Sequence, residues 1–348
     1  MNDTVRPRVA IDAVGGDGAP AVIIEGALQA IEQFDVDVML VGPERRLRRE
    51  LARFRPLPDA IQLVDAPDVV GMEDSPVSVL RSKPDSSLSV CARLVRDRRA
   101  IAMITAGNTG AAWVAAKSTL GMIEGVERPA LAVVLPKQDR QTLLLDVGAN
   151  LECKAEQLVH FAVMGSLYSK HVLGVADPTV GLMSVGEEEN KGGPRIRKQY
   201  RVLSSAGVRF VGNVEGRDVF SGCVDVIVTD GFTGNVILKV AEGFGEMVMS
   251  LLVDEARRSP MYGAGLLMAK GAFRNLKKKV DYSEYGGAPL LGVNGACLIG
   301  HGRSSARAIR NAVRFAANYA SSGIVRRIKT TVHDVLEIRR AREAAGER

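Results

Sequence analysis

Asp225 to Asn235 reads DVIVTDGFTGN: an apolar, β-branched run stops at a carboxylate, and a Gly-Phe-Thr-Gly-Asn turn opens the helical stretch VILKVAEGFGEMV. Such a junction suits phosphate. A buried parallel strand reads as continuous Val/Ile, and the helix after it turns backbone N–H groups and the positive end of its dipole towards an anion. Gly231 and Gly234 allow close approach, Thr233 adds a hydroxyl, and Asn235 adds an amide. One such loop is weak evidence, because any short strand-to-helix turn uses glycine. Here apolar runs end the same way at VAIDAVGGDGAP (9–20), AMITAGNTGAA (102–112), LLLDVGAN (143–150), VGLMSVGEEENKGG (180–193) and RFVGNVEGRD (209–218). Several strands are therefore expected to deliver their C-terminal ends to one rim.

The side chains at those ends are of few kinds. Asp12, Asp17, Asp146, Asp230 and Glu215 are carboxylates that could bind magnesium or, as is commoner, cap helices and tie down turns. Asn108, Asn150, Asn213 and Asn235 donate hydrogen bonds without adding charge. Lys83, beside Pro84, and Lys191, in a glycine-rich loop, are the cations expected at the rim. His301, in ACLIGHGRSS, is the one histidine of four that stands in a glycine-rich strand-end context. No GxSxG, Cys-His or HExxH pattern exists, so covalent hydrolase and zinc protease chemistry lack an anchor. No metal and no cofactor is expected.

Positioning these ends requires an α/β fold. Strands are expected near 8–12, 37–41, 61–64, 101–105, 131–135, 142–147, 180–185, 209–213 and 225–229, with helices between most of them and a largely parallel central sheet. No linker or low-complexity stretch divides residues 1–348, which read as one unit. Residues 247–280 depart from the alternation as a helical excursion broken at Arg258-Ser259-Pro260. In its second half Tyr262, Leu266, Ala269, Phe273, Leu276 and Val280 recur at helical spacing, with Lys270, Arg274 and Lys277 to Lys279 elsewhere. That pattern fits a membrane surface, an acidic partner or a dimer mate. The last stretch, from Ile324, reads as a polar helix that covers the fold.

With 46% hydrophobic and 25% charged residues, the composition is that of a soluble globular enzyme. Four scattered cysteines suggest reduced thiols and a cytoplasmic location. The first residues carry no apolar leader, and no apolar run is long enough to span a bilayer. The net charge of +6 favours acidic partners, with Arg195, Arg197, Lys198 and Arg257 as candidates to meet one. One Trp and 5% aromatics give no stacking platform, so nucleic acid is not expected.

In order, IDAVGGD, SKPDSSL, ITAGNTGA, RPALAVVLP, LLLDVGAN, VGEEENKG, GNVEGRD, DVIVTDGFTGN and YGGAPLLGVNGACLIGHG resemble the bacterial phosphate acyltransferases of phospholipid synthesis, the PlsX type, over nearly the whole chain. Ala19 and Arg303 are small departures from that family's pattern. The resemblance implies a three-layer α/β/α fold, like the isopropylmalate dehydrogenases and phosphotransacetylases. It also implies acyl transfer from acyl carrier protein to inorganic phosphate, a homodimer, a glycerol-3-phosphate acyltransferase downstream, and loose contact with the cytoplasmic membrane.

For that chemistry the expected phosphate and substrate ligands are Gly15, Gly16, Asp17, Lys83, Gly107, Asn108, Thr109, Gly110, Gly231, Thr233 and Gly234. Lys191, Asn235, Asn150 and His301 are the expected catalytic groups for the carbonyl oxygen or the departing sulfur. Phosphate is already an anion and a thiol of pKa about 8.5 leaves readily, so no triad is needed. Alternatives are a phosphotransacetylase-like enzyme using acyl-CoA and a non-catalytic lipid- or carrier-binding regulator on the same scaffold. A third, an NAD(P)-dependent decarboxylating dehydrogenase of this fold, would need a GD-x-x-SD motif where this chain has DGFTGN.

Overall fold

A computed structural model describes residues 6–54, 56–136, 141–273 and 286–344. Eleven strands form one sheet in the order β3-β2-β1-β4-β11-β10-β5-β6-β9-β7-β8. They are β1 (Arg8–Asp12), β2 (Asp37–Gly42), β3 (Ile61–Asp65), β4 (Ala102–Thr105), β5 (Ala130–Pro136), β6 (Gln141–Leu145), β7 (Thr179–Met183), β8 (Arg209–Val214), β9 (Val226–Val228), β10 (Ala288–Leu291) and β11 (Ala296–Ile299). The nine expected strands are all present, and ACLI forms β11. β10 has no counterpart among the expected strands, because APLL carries a proline between glycine pairs and reads as a loop. Pro289 is tolerated since β10 pairs with β11 over its first two residues and with β5 over its last two.

Successive residues of each strand feed opposite cores, which is why the strands read as continuous apolar runs. Val9, Ile11, Val38, Leu40, Leu143 and Leu145 face one apolar cluster, and Ala10, Met39, Val41 and Leu144 face the other. The first layer includes α1 (Ala21–Gln33), α6 (Ala155–His171), α11 (Ala306–Ser321) and α12 (Ile324–Ala344). The second includes α4 (Ser87–Arg96) and α5 (Thr109–Thr119). The architecture is thus three-layer α/β/α.

The strands do not all point the same way. β3, β2, β1, β4 and β11 are mutually parallel, as are β6, β9, β7 and β8, but β10 pairs antiparallel with β11 and β5 pairs antiparallel with both β10 and β6, so the two sets run in opposite directions. Residue partners nevertheless align the two sets. Ile11 pairs with Ile104, Ile104 with Leu298 and Leu298 with Pro289; Ala132 pairs with Leu145, Leu145 with Val228 and Val228 with Leu182. Because Leu290 pairs with Leu131, Pro289 stands level with Ala132, and the two series form one transverse row. Expected as one rim, the strand ends form two half-rims that approach a common line from opposite directions.

The helical excursion breaks where expected. α9 (Gly231–Arg257) ends, and α10 (Pro260–Met268) starts with Ser259 as cap and Pro260 in its first turn. α10 gives way to a turn at Ala269, so the expected amphipathic pattern does not run through a single helix. Arg274, Leu276, Lys277 to Lys279 and Val280, and the side chain of Leu266, lie outside the described residues. Between β7 and β8 runs α7 (Gly193–Ser204).

α12 covers the fold through Ile324, Ile328 and Val332, an i, i+4, i+8 stripe exposed by 1% or less that packs on the α6 side. Ile328→Ala should cost about 2–5 kcal/mol in urea unfolding, through lost burial and a cavity. The exposed neighbour Lys329→Ala should stay within about 0.5 kcal/mol; equal effects would show that α12 is not docked.

Candidate active site

The first half-rim joins the ends of β1, β4 and β11. Asp12 is 2% exposed; its carboxylate accepts from Thr105 Oγ1 at 2.8 Å and Val14 N at 3.2 Å, while Gly107 N donates to Thr105 Oγ1 at 2.9 Å. Burial pushes the Asp12 carboxyl above its usual range, against hydrogen bonds from Ser87 and Thr105 that pull it down. Asp12 is therefore a lock between two turns. Gly16 has φ +101°, a conformation that favours glycine, and an added Cβ would lie 3.0 Å from Gly302 O and 3.1 Å from Ala106 O. Gly15 packs as closely on Asp12 and Gly107, and Asp17 N donates to Gly302 O at 2.9 Å, with the Asp17 side chain exposed beside the His301 loop. His301 Nδ1 accepts from Arg303 N at 3.0 Å, which assigns the proton of the neutral ring to Nε2.

Asn108 caps α5, its Oδ1 accepting from Ala111 N at 3.0 Å. Its Nδ2 donates to Met72 O and Asp74 O, both at 3.0 Å, so Asn108 fastens the segment after β3 over the start of α5. Lys83 belongs to the same fastening. Its Nζ meets Asp74 Oδ2 at 2.5 Å and Val69 O at 2.7 Å, and it holds the Asp74 carboxyl below its usual range. Expected as phosphate ligands, Lys83 and Asn108 instead have partners within the chain. The backbone N–H groups of Thr109 and Gly110, in the first turn of α5, make no hydrogen bond among the described residues.

The second half-rim joins the ends of β6 and β9. Asp146, fully buried, accepts from Leu131 N at 3.0 Å, Ala149 N at 2.9 Å, Asn150 N at 2.7 Å and Asn150 Nδ2 at 2.9 Å. Asn150 Nδ2 also donates to Pro129 O at 2.7 Å, while its buried Oδ1 is unpartnered. Both amide hydrogens are spent, so Asn150 cannot donate to a carbonyl oxygen as expected. It positions the turn.

Asp230 caps α9 through Thr233 N at 2.9 Å and holds Arg195 at 2.5 Å. Gly231 N donates to Asn150 O at 2.7 Å, and Gly234 N to Asp230 O at 3.0 Å. The expected phosphate cradle at Gly231, Thr233 and Gly234 thus has its N–H groups occupied. The glycines serve close packing: a Cβ at Gly231 would lie 2.6 Å from Asn150 O, and one at Gly234 would fall on Asp146 O. The Asn235 side chain, half-buried beside Gly148, makes no hydrogen bond among the described residues.

Lys191 is exposed in the loop after β7, 4.0 Å from Glu188 Oε1. It shares a concavity of about 780 Å³ with Glu188, Glu189, Asn190, Arg197 and Arg201. A second concavity, about 550 Å³, is lined by Cys153, Lys154, Ala155, Glu156, Arg195, Lys198 and Gln199. Arg195, expected only as a candidate to meet an acidic partner, stands at the rim on Asp230, and nothing in PRIRK announces a pairing with a carboxylate 35 residues on. Along the row β11 and β6 stand three strand spacings apart, roughly 14 Å. The expected residues therefore form two facing groups.

Residues 7–327 match the family model described as fatty acid synthesis protein. The chain belongs to this family. It is similar to proteins named phosphate acyltransferase from Trichlorobacter lovleyi and Geotalea uraniireducens, 47% identical in each case over 321 residues, 92% of this chain and 93% of theirs. In fold it is similar to a phosphotransacetylase from Streptococcus pyogenes, with a TM-score of 0.65 at 14% identity, covering 90% of this chain and 94% of that one. Family and fold agree with the resemblance carried by the sequence blocks. Among the described residues no carboxylate, histidine or cysteine cluster could hold a metal ion, and no helix is long and apolar enough to cross a membrane.

Cys153 is the one cysteine lining a candidate rim, and burial, with Asp146 and Asp230 nearby, pushes its thiol up to about 12. A thiol that stays protonated is a poor nucleophile. Alkylation of the native protein near pH 8 should modify exposed Cys223 and spare Cys91, Cys153 and Cys297. Labelling of Cys153 as fast as Cys223 would show its burial to be wrong.

Proposed function

We propose that this chain transfers a fatty acyl group from acyl carrier protein to inorganic phosphate by direct attack of phosphate on the thioester. The family makes it an acyltransferase of lipid synthesis that uses phosphate. The observation that carries the mechanism is the unoccupied first turn of α5, where Thr109 and Gly110 have N–H groups without a partner among the described residues, just after the Ala106-Gly107 turn that packs on Gly15 and Gly16. An anion seated there gains from the helix dipole without competing against an internal partner. Gly15, Gly107 and Asp17 shape that seat. At α9 the counterpart of Thr109, Gly231, donates to Asn150 O, and the cap Asp230 sets a carboxylate at the helix start, so the second half-rim is assigned to the thioester.

A phosphate oxygen forms the bond to the carbonyl carbon, the C–S bond breaks, and the thiolate leaves to take up a proton. Asn235 and Lys191 are assigned to the developing oxyanion, and His301 Nε2–H to phosphate or the departing sulfur. No side chain need become acylated, in keeping with the raised Cys153 thiol. The acyl phosphate then passes to a glycerol-3-phosphate acyltransferase in phosphatidic acid synthesis.

α9 and α10 are each assigned a contact. Phe232, Val236, Val240, Phe244, Met247 and Leu251 form one exposed apolar face along α9, suited to the mate in a homodimer. Met261, Leu267 and Met268, exposed by 74%, 70% and 90%, form a second face on α10, suited to a peripheral membrane contact on the cytoplasmic side.

Wild-type protein should release free carrier-protein thiol from acyl carrier protein only when phosphate is present; activity with acyl-CoA alone would favour a phosphotransacetylase. Lys191→Ala should lower kcat by about tenfold or more, and unchanged kinetics would return Lys191 to the surface. Leu267→Glu with Met268→Glu should abolish binding to anionic vesicles and leave turnover of soluble carrier intact. Retained vesicle binding would refute the membrane contact.

A further inference from the structure

Residues 190–201, NKGGPRIRKQYR, contain five cations and no carboxylate. They make up the loop end and first turns of α7, whose inner face is Ile196, Gln199, Tyr200 and Leu203. The cations fall on the outer face, and two have local answers: Arg195 pairs with Asp230, and Lys198 with Glu156 at 3.7 Å. Arg197 and Arg201, one turn apart, make no ion pair among the described residues. Their guanidinium groups reach only backbone carbonyls, of Asn190 and Arg197, each at 3.4 Å. Both line the larger concavity with Lys191.

We infer that this face of α7 is the docking surface for an acidic protein, the carrier that bears the thioester; the inference rests on the proposed carrier-dependent reaction. Position supports it, since α7 begins at the loop after β7 and its Arg195 touches the cap of α9, so a protein seated there borders the second half-rim. Chemistry selects the partner. A membrane-surface helix needs large apolar side chains beside its cations, and the exposed positions of α7 carry none. Single-stranded nucleic acid needs exposed aromatics, but Tyr200 is half-buried, edge-on to Phe210 with ring centroids 5.2 Å apart. Glu188 and Glu189 in the same concavity oppose a uniform polyanion, whereas a folded acidic protein can set its carboxylates against Arg197 and Arg201.

The test is the double charge reversal Arg197→Glu with Arg201→Glu, against Arg197→Lys with Arg201→Lys, in the full chain. The reversal should raise KM for the acyl carrier protein by about tenfold or more and leave kcat within about twofold. Kinetics with acyl-pantetheine, the same thioester without the protein, should not change, and the lysine pair should retain carrier affinity. An unchanged carrier KM, or an equal loss with acyl-pantetheine, overturns the docking surface. Should wild-type protein turn over no thioester, the proposed reaction fails separately, and direct titration with acyl carrier protein still decides. Binding by wild type that the reversal abolishes upholds the surface; absence of binding by wild type overturns it. Loss of anionic-vesicle or RNA binding with carrier binding intact also overturns it.

Discussion

Strand direction reverses at each step from β11 through β10 and β5 to β6, and the site depends on how the register absorbs those reversals. If β5 paired with β10 or β6 two residues out of step, the ends of β1, β4 and β11 would stand two rises, roughly 7 Å, from the level of β6 and β9. The observed pairs, Leu290 with Leu131 and Ala132 with Leu145, bring both sets to one row. Opposed helix N-termini then face a shared space, each with its own glycine turn. A strictly parallel sheet would put every N-terminus on one edge, and a ligand would meet them from one side only.

Closing strands onto that row requires sharp turns whose backbone groups are removed from water, and buried carboxylates satisfy them. Asp146 takes four backbone N–H groups and an amide; Asp12 ties β1 to β4 through Thr105. Leaving such N–H groups unpaired would cost about 1–3 kcal/mol each, which is why desolvation of a carboxylate is tolerated there. Asp230 performs both tasks at once, capping α9 and fixing Arg195 at the site's edge. These acids act on the backbone, and Asp12 borders the proposed anion seat through the Gly15 and Gly107 turns that it holds.

Much of this arrangement is legible in the sequence because strand and turn chemistry are local. Val226 to Val228 against Gly231 to Gly234, or Ser259-Pro260 at a helix start, announce themselves within a few residues. Direction, register and hydrogen-bond occupancy are not local. β10 hides behind Pro289 and flanking glycines, and nothing in LLLDVGAN says that β6 runs against β1. The GNTG and DGFTGN turns look alike as phosphate cradles. They differ because Asp230 caps one with a carboxylate that also holds Arg195 and Asn150 O takes its Gly231 N–H, while Asn108 caps the other with a neutral amide and the Thr109 N–H has no partner among the described residues. Asn150 shows the same limit: its type suits an oxyanion, but Asp146 and Pro129 take both of its hydrogens.

That difference between the two caps bears on which half-rim receives which reactant. A carboxylate at the start of α9 raises the cost of placing a multiply charged phosphate beside it, even with Arg195 in attendance, because the Arg195 charge is already shared with Asp230. At α5 the cap contributes no charge, and Asp74, on the segment that Asn108 fastens, is answered by Lys83. A neutral thioester suffers no such repulsion at α9. In the proposed reaction the exposed Leu151 at that end offers its acyl chain apolar surface. In the proposed reaction the charge pattern of two otherwise similar turns thus assigns phosphate to α5 and the acyl group to α9.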